Sequence, residues 1–126
     1  MSVVLDSSAV LAVLWSEPGS DIVLDRVDGA VISAVNYAEV LTKISDRGVD
    51  GKRAKALLAS LAIEIIGFET VQAETVGLLR SQTRHLGLSL GDRACIALAM
   101  MKVWPVLTAD KAWAELSLSV DVQLVR

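Results

Sequence analysis

Five short apolar runs punctuate the chain, and helix-length segments separate most of them; this alternation restricts the fold more than any other feature. The runs are Val3 to Leu5, Ala30 to Ile32, Ile63 to Ile66, Pro105 to Leu107 and Val120 to Val125. Four of them are separated by amphipathic stretches long enough for a helix. A strand–helix–strand rhythm of this kind is the signature of a parallel sheet covered by helices. At 126 residues the chain suits a single α/β domain spanning 1–126, large enough to bury roughly two thirds of the surface its unfolded chain exposes. It carries no internal repeat, low-complexity tract or linker, and its two prolines, Pro18 and Pro105, stand alone.

Local signals agree with this rhythm. Pro18-Gly19 interrupts the segment that begins at Ser7 and reaches Trp15, Asp50 is placed to cap a helix reaching Ala62, and Gly48 ends the helix that begins near Ser33. Tyr37, Leu41 and Ile44 recur at helical spacing and give that helix a core-facing ridge. Ala94 through Met101 is apolar on every side, which predicts a buried helix extended by Met100 and Met101.

This topology gathers acidic residues at one rim. Asp6 closes the first strand and so stands at the carboxyl edge of the sheet, where open parallel sheets collect their ligand sites. Asp110 follows the fourth strand by a few residues and shares that edge. Asp92 begins the helix leading into the same strand; because that helix must run antiparallel to the strand, its first turn also lies at the carboxyl edge. Glu39 sits about 9 Å down its helix from Ser33, and helical side chains lean toward the helix start, so a long Glu can return to the rim.

Clustered carboxylates repel one another and raise at least one pKa unless a cation intervenes. Mg2+ takes hard oxygen ligands, usually one or two carboxylates together with waters and substrate phosphate oxygens. Such an ion activates water and stabilises charge developing on a phosphodiester. Asp6, Asp92 and Asp110 are the expected metal-holding residues, directly or through water, with Glu39 positioning or deprotonating the attacking water.

Each acid also has an ordinary explanation. Asp6 precedes Ser7-Ser8 and fits a helix cap. Ser89-Leu90-Gly91-Asp92 has the spacing of a capping box. Glu39 precedes Lys43 by four residues, the favourable order for a surface ion pair. Thr108-Ala109-Asp110-Lys111 reads as a helix start with Thr108 as its cap. The functional reading rests on their common placement.

Composition narrows the alternatives. Hydrophobic residues make up 53% of the chain, and part of this surplus is expected to face another protein. No stretch is apolar enough to span a membrane, and the opening Met-Ser-Val-Val-Leu-Asp lacks the basic flank of an export signal, so a cytoplasmic protein is expected. A single cysteine, Cys95, forms no internal disulfide and offers no zinc cluster. The lone histidine, His85, excludes a metal-free ribonuclease with two histidines as acid and base. The net charge of −3 becomes +1 once the four rim acids are assigned to a metal, which leaves the lysines and arginines able to follow a phosphate backbone. Lys52-Arg53-Ala54-Lys55 reads as a solvated basic turn with RNA contact as the minor alternative, and Trp15, Trp104 and Trp113 read as packing residues.

Four segments, taken in order and spacing, resemble the PIN domain, and within it the compact VapC-like toxins of toxin–antitoxin pairs. They are Val3-Val4-Leu5-Asp6-Ser7-Ser8-Ala9, Ser33-Ala34-Val35-Asn36-Tyr37-Ala38-Glu39-Val40, Leu88-Ser89-Leu90-Gly91-Asp92-Arg93-Ala94 and Leu107-Thr108-Ala109-Asp110. The resemblance covers the whole chain. It implies a roughly five-stranded parallel sheet flanked by helices, Mg2+ or Mn2+ at the acidic rim, and endonucleolytic cleavage of structured RNA such as tRNA or rRNA. Asp6, Glu39, Asp92 and Asp110 match its acids position by position. Ser7 stands where the family often has Thr, and Thr108 matches a hydroxyl residue that helps line the site. The resemblance also implies a homodimer neutralised by a small antitoxin. Two other readings stay open: a phosphotransfer domain with Asp6 as acceptor, although Asp6-Ser7-Ser8 lacks a second Asp two residues on, and a catalytically silent domain that only binds RNA or protein.

Overall fold

In the computed structural model, which describes residues 2–126, five strands form one all-parallel sheet of order β3-β2-β1-β4-β5. They are β1 (Val4–Leu5), β2 (Val31–Ser33), β3 (Glu64–Ile66), β4 (Val106–Thr108) and β5 (Val122–Leu124). The expected apolar runs all contain or overlap a strand. The second strand lies one residue later than its apolar run because Ser33 still pairs, with Ile66, before capping the next helix.

Seven α-helices accompany them: α1 (Ser7–Leu14), α2 (Ser20–Leu24), α3 (Ala34–Asp46), α4 (Gly51–Ala59), α5 (Thr70–Leu78), α6 (Arg80–Thr83) and α7 (Leu90–Lys102). The inner strands β1, β2 and β4 are buried on both sides, whereas the edge strands β3 and β5 are partly exposed, and the side chains of the inner strands alternate between two cores. Val3, Leu5, Ile32 and Leu107 pack beneath α1 to α4 with Val10, Val40, Ile44 and Leu58. Val4, Val31 and Val106 face the other way, against Val76 of α5, the stretch Ala94–Ala99 of α7, and Trp113.

The expected punctuation is largely present. Asp50 accepts from the Arg53 amide and caps α4, Ser33 accepts from the Val35 amide and caps α3, and Gly48 adopts a left-handed φ of +82° just past the end of α3. Ile44 is buried, and Tyr37 and Leu41 pack beside it as the expected ridge. Helix α7 is buried from Ala94 to Ala99, but Met101 is 50% exposed rather than an extension of the buried stretch. Met100 still packs half-buried against the core, and the helix is exposed from Met101 to Lys102.

Strand β1 is central. It pairs with β2 on one side and β4 on the other, so chain connections depart from it in opposite directions and leave a crevice at the carboxyl ends of β1 and β4. This switch point is where open α/β sheets bind ligands.

Helix α7 ends on Val103, a β-branched residue held at φ 55° and ψ 45° with its side chain 82% exposed. This left-handed conformation disfavours a Cβ, and the exposed isopropyl group gains little packing in return. Val103→Gly is expected to raise stability by about 1 kcal/mol, measured by urea denaturation; a loss of stability would show that the side chain contributes packing not evident here.

Candidate active site

The switch-point crevice opens into a cleft of about 180 Å³ lined by Asp6, Ser7, Ser8, Leu11, Glu39, Lys43, Asp92 and Asp110. The four acids singled out in the sequence therefore share one cleft, although up to about a hundred residues separate them along the chain. A smaller apolar cavity of about 50 Å³, lined by Val10, Ile32, Tyr37, Leu58, Ala59, Ile63 and Ile65, contains no carboxylate.

Asp6 forms the floor of the cleft. Leaving β1, it caps α1 through the Ala9 amide (2.9 Å to Oδ1), and its carboxylate also accepts from Ser8 Oγ (2.7 Å) and from Thr108 Oγ1 (2.6 Å to Oδ2). Only 5% of the residue is exposed. Burial pushes its pKa from 3.8 up to about 6; the three hydrogen bonds oppose this, and the negative charge of Asp92 adds to it. Thr108 does not line the cleft as expected. It lies fully buried behind Asp6, where its hydroxyl both donates to that carboxylate and accepts from the Asp110 amide.

Glu39 comes from the second turn of α3. Its Oε1 accepts from Ser7 Oγ (2.6 Å) and from Asn36 Nδ2 (2.8 Å), and the same amide donates to the Gly91 carbonyl (2.9 Å). Asn36 thus links α3, α7 and the carboxylate, and its own Oδ1 is buried without a partner. The carboxylate rests directly over Gly91, where any Cβ would collide with it. The surface pair with Lys43 expected from the i, i+4 spacing does not form: among the described residues the one salt bridge joins Arg126 to Glu17. Glu39 turns instead to neutral donors contributed by α1 and by its own helix.

Asp92 occupies the third position of α7 and completes a reciprocal capping box. Ser89 Oγ accepts from the Asp92 amide and Asp92 Oδ2 accepts from the Ser89 amide. The capping and cleft-lining readings therefore hold together, since a carboxylate at a helix start faces the rim. Burial raises the pKa of Asp92 against the effect of the Ser89 bonds, and the charges of Asp110 and Glu39 raise it further. Asp110, expected inside a helical turn capped by Thr108, is itself the cap of a short 3-10 turn over Lys111–Glu115, accepting from the Ala112 amide at 3.0 Å. Cys95, as expected a free buried thiol, sits behind the acids, and burial together with their charges holds it firmly protonated.

Ser8, Asn36 and Lys43 belong to this cleft or its support and were not marked as site residues by the sequence. Ser8 Oγ bonds Asp6 and accepts from the Ala109 amide, tying the β4 exit to the start of α1. The only available signal was the doubled serine after Asp6.

The oxygen-only donor set and the mutual repulsion of Asp6, Asp92, Asp110 and Glu39 suit a hard divalent cation. However, among the described residues no three acidic, His or Cys side chains are arranged to ligate one ion together. Each carboxylate is turned to its own hydroxyl or amide donor. Asp6, Asp92 and Asp110, expected to hold metal directly or through water, all line this cleft, and a hydrated ion would suit carboxylates that are each engaged with a donor of their own.

The fold and the cleft define a small all-parallel α/β protein with an acidic site at its topological switch point. A family model for the PIN domain matches residues 3–118, and the chain belongs to that family. No curated protein sequence matches the chain. Among solved structures, a chain of a toxin–antitoxin complex from Klebsiella pneumoniae is similar at TM-score 0.76 and 19% identity, covering 99% of this chain and 98% of that one. A chain of VapBC2 from Rickettsia felis, bound to a DNA fragment from its promoter, gives 0.77 at 16% identity with 98% of each chain covered. A chain of VapBC-1 from nontypeable Haemophilus influenzae gives 0.77 at 16%, covering 99% of this chain and 98% of that one. At these identities the likeness is one of fold. Among the described residues no helix is long and apolar enough to cross a membrane.

Because the folded chain holds the Asp6 proton more tightly than the unfolded chain does, the associated stability is fully present below pH 3.8 and is lost as pH rises through about 6. In metal-free buffer, Asp6→Asn is expected to match the parent protein near pH 4 and to exceed it at pH 7.5 by on the order of 3 kcal/mol. Urea denaturation across this range checks the sign, and a difference independent of pH would contradict it.

Proposed function

We propose that the chain is a metal-dependent endoribonuclease acting as the toxin of a toxin–antitoxin pair. The observation that carries this reading is the convergence of four carboxylates in one cleft at the sheet's switch point, with Asp6 buried deeply enough to lift its pKa to about 6. Membership in the PIN family, whose VapC members are nucleases in general, supports the hydrolytic reading. The toxin–antitoxin complexes among the similar structures support an antitoxin partner. The exposed Val71 and Leu78 on one face of α5, with Leu90 at the start of α7, provide apolar surface for that partner or for a second copy of the chain.

In this reading Asp6, Asp92 and Asp110 would hold Mg2+ or Mn2+, directly or through water. A divalent cation bound there supplies Lewis-acid activation of water and neutralises charge on the phosphodiester. Glu39 handles the proton. Its Oε1 is saturated by Ser7 and Asn36, which leaves Oε2 to take the proton of the attacking water as the water oxygen adds to phosphorus. The P–O bond then breaks, and the leaving oxygen is protonated from solvent. Ser7 and Asn36 fix the direction in which Oε2 points, and Gly91 provides the space. Phosphotransfer to Asp6 has no comparable support, because both its oxygens already accept hydrogen bonds in a buried position.

RNA cleavage is expected to require Mg2+ or Mn2+, to stop with EDTA, and to fall about 10²- to 10⁴-fold in Glu39→Gln, with Asp92→Asn similarly impaired. Gel analysis of end-labelled RNA reads this out; undiminished cleavage by both variants would remove these residues from the mechanism. Binding of RNA without turnover under all metal conditions would instead favour the silent domain.

Gly91→Ala separates site geometry from folding. Alanine suits a helix better than glycine by about 1 kcal/mol, and the atoms in its way are the movable end of Glu39. The variant is expected to melt at or above the parent temperature while losing at least about tenfold in cleavage. Full activity would show that the seat over Gly91 is dispensable.

A further inference from the structure

Ser7, Leu11 and Trp15 follow one another at steps of four along α1 and its end, and Glu39, Lys43 and Arg47 do the same along α3 and its end. The two rows meet. Ser7 Oγ donates to Glu39 across an offset of 32 residues, and the Arg47 guanidinium lies over the Trp15 ring, 3.5 Å from its centroid, at the same offset. One offset shared by contacts two helical turns apart requires α1 and α3 to run side by side in the same direction. Leu11 and Lys43 are the rung between these contacts, and both line the acidic cleft. The result is a surface seam about 12 Å long that leaves the rim and descends between the two helices.

The charge along this seam changes sign. Carboxylates crowd the rim, whereas Lys43 and Arg47 below them are exposed and take part in no salt bridge among the described residues. Among the described residues Lys43 is the only cation lining the cleft. A polyanion is repelled by the rim alone and is drawn there only where cations meet its phosphates. Lys43 and Arg47 are separated by about 6 Å along the helix axis, on the order of one nucleotide step in an extended strand. The Arg47 guanidinium over the Trp15 ring belongs to an exposed residue, and a guanidinium plane can stack an unpaired base while its N–H edge meets a phosphate.

We propose that the seam between α1 and α3 is the track along which the substrate strand lies. The reacting phosphodiester lies at the rim, the neighbouring phosphate lies on Lys43 Nζ, and the next nucleotide stacks on the Arg47–Trp15 pair. The proposal rests on the nuclease reading and adds to it a direction and the residues that hold the strand. The basic cluster Lys52, Arg53 and Lys55 on α4 contributes no residue to the cleft and is the competing candidate for backbone contact.

The test uses fluorescence anisotropy of a labelled oligouridylate in EDTA, titrated at several salt concentrations, beside cleavage of RNA with Mg2+. Lys43→Gln and Arg47→Gln are each expected to weaken binding several-fold and to flatten the log–log salt dependence by about 0.7. Arg47→Lys is expected to restore the salt dependence but not the affinity, since it keeps the charge and loses the plane. The triple change of Lys52, Arg53 and Lys55 to Gln is expected to alter both quantities less than Lys43→Gln alone. If the parent protein cleaves RNA but shows no metal-free binding, or if the variants at 43 and 47 bind as the parent does, or if the α4 triple variant has the larger effect, the track is wrong and the nuclease reading survives. An Arg47→Lys variant with full affinity overturns the stacking step. A parent protein that neither binds nor cleaves RNA overturns both.

Discussion

The burial of a carboxylate at the end of the central strand is the constraint on which the rest of the site depends. Asp6 leaves β1 between β2 and β4, where the sheet is covered on both faces, and its charge is largely removed from water. An acid in that position needs donors. It obtains them from two directions, the start of α1 through Ala9 and Ser8 and the end of β4 through Thr108, while Ser8 Oγ also accepts from the Ala109 amide. The same bonds hold β4 and its exit loop against α1, so the charged floor of the cleft and the closure of the sheet's rim depend on one network. The cost is visible in the raised pKa, since hydrogen bonds recover only part of the lost hydration.

Around that floor the other acids are placed by helix starts. A helix that follows a strand in a parallel sheet begins at the carboxyl edge, and a helix that precedes a strand begins there too. Asp92 in the first turn of α7 and Asp110 at the 3-10 turn therefore face the same solvent pocket as Asp6. Their capping roles and their place in the cleft are not competing explanations, because the geometry that makes a carboxylate a good cap also turns it outward at the rim. Glu39 is the exception. It lies deeper along α3 and is held by Ser7, Asn36 and the absence of a side chain at Gly91, which makes it the acid whose orientation is most closely defined.

Much of this architecture could be read along the chain. Alternating short apolar runs specified a parallel sheet, Asp50, Ser33 and Gly48 marked helix ends, and the apolar stretch from Ala94 marked the buried helix. Local reasoning failed where two local options compete. The Glu39–Lys43 spacing favours an ion pair in an isolated helix, but in the folded chain Ser7 and Asn36 offer Glu39 short, partly buried hydrogen bonds that a mobile surface lysine does not match. Thr108 likewise looked like a helix cap and proved to be a buried donor to Asp6, because β4 lies immediately beside β1.

What the sequence determined by itself is whatever depends on neighbours a few residues apart: the strand and helix periods, the caps, and the edge of the sheet at which each acid emerges. What only the tertiary structure decided is which groups meet across large separations. The pairing of Ser7 with Glu39, the Asn36 bridge to Gly91, the seat that a Cβ would close, and the stacking of Arg47 on Trp15 all follow from how helices settle on the sheet. That settling is fixed by side-chain packing between distant segments, and no local propensity encodes it.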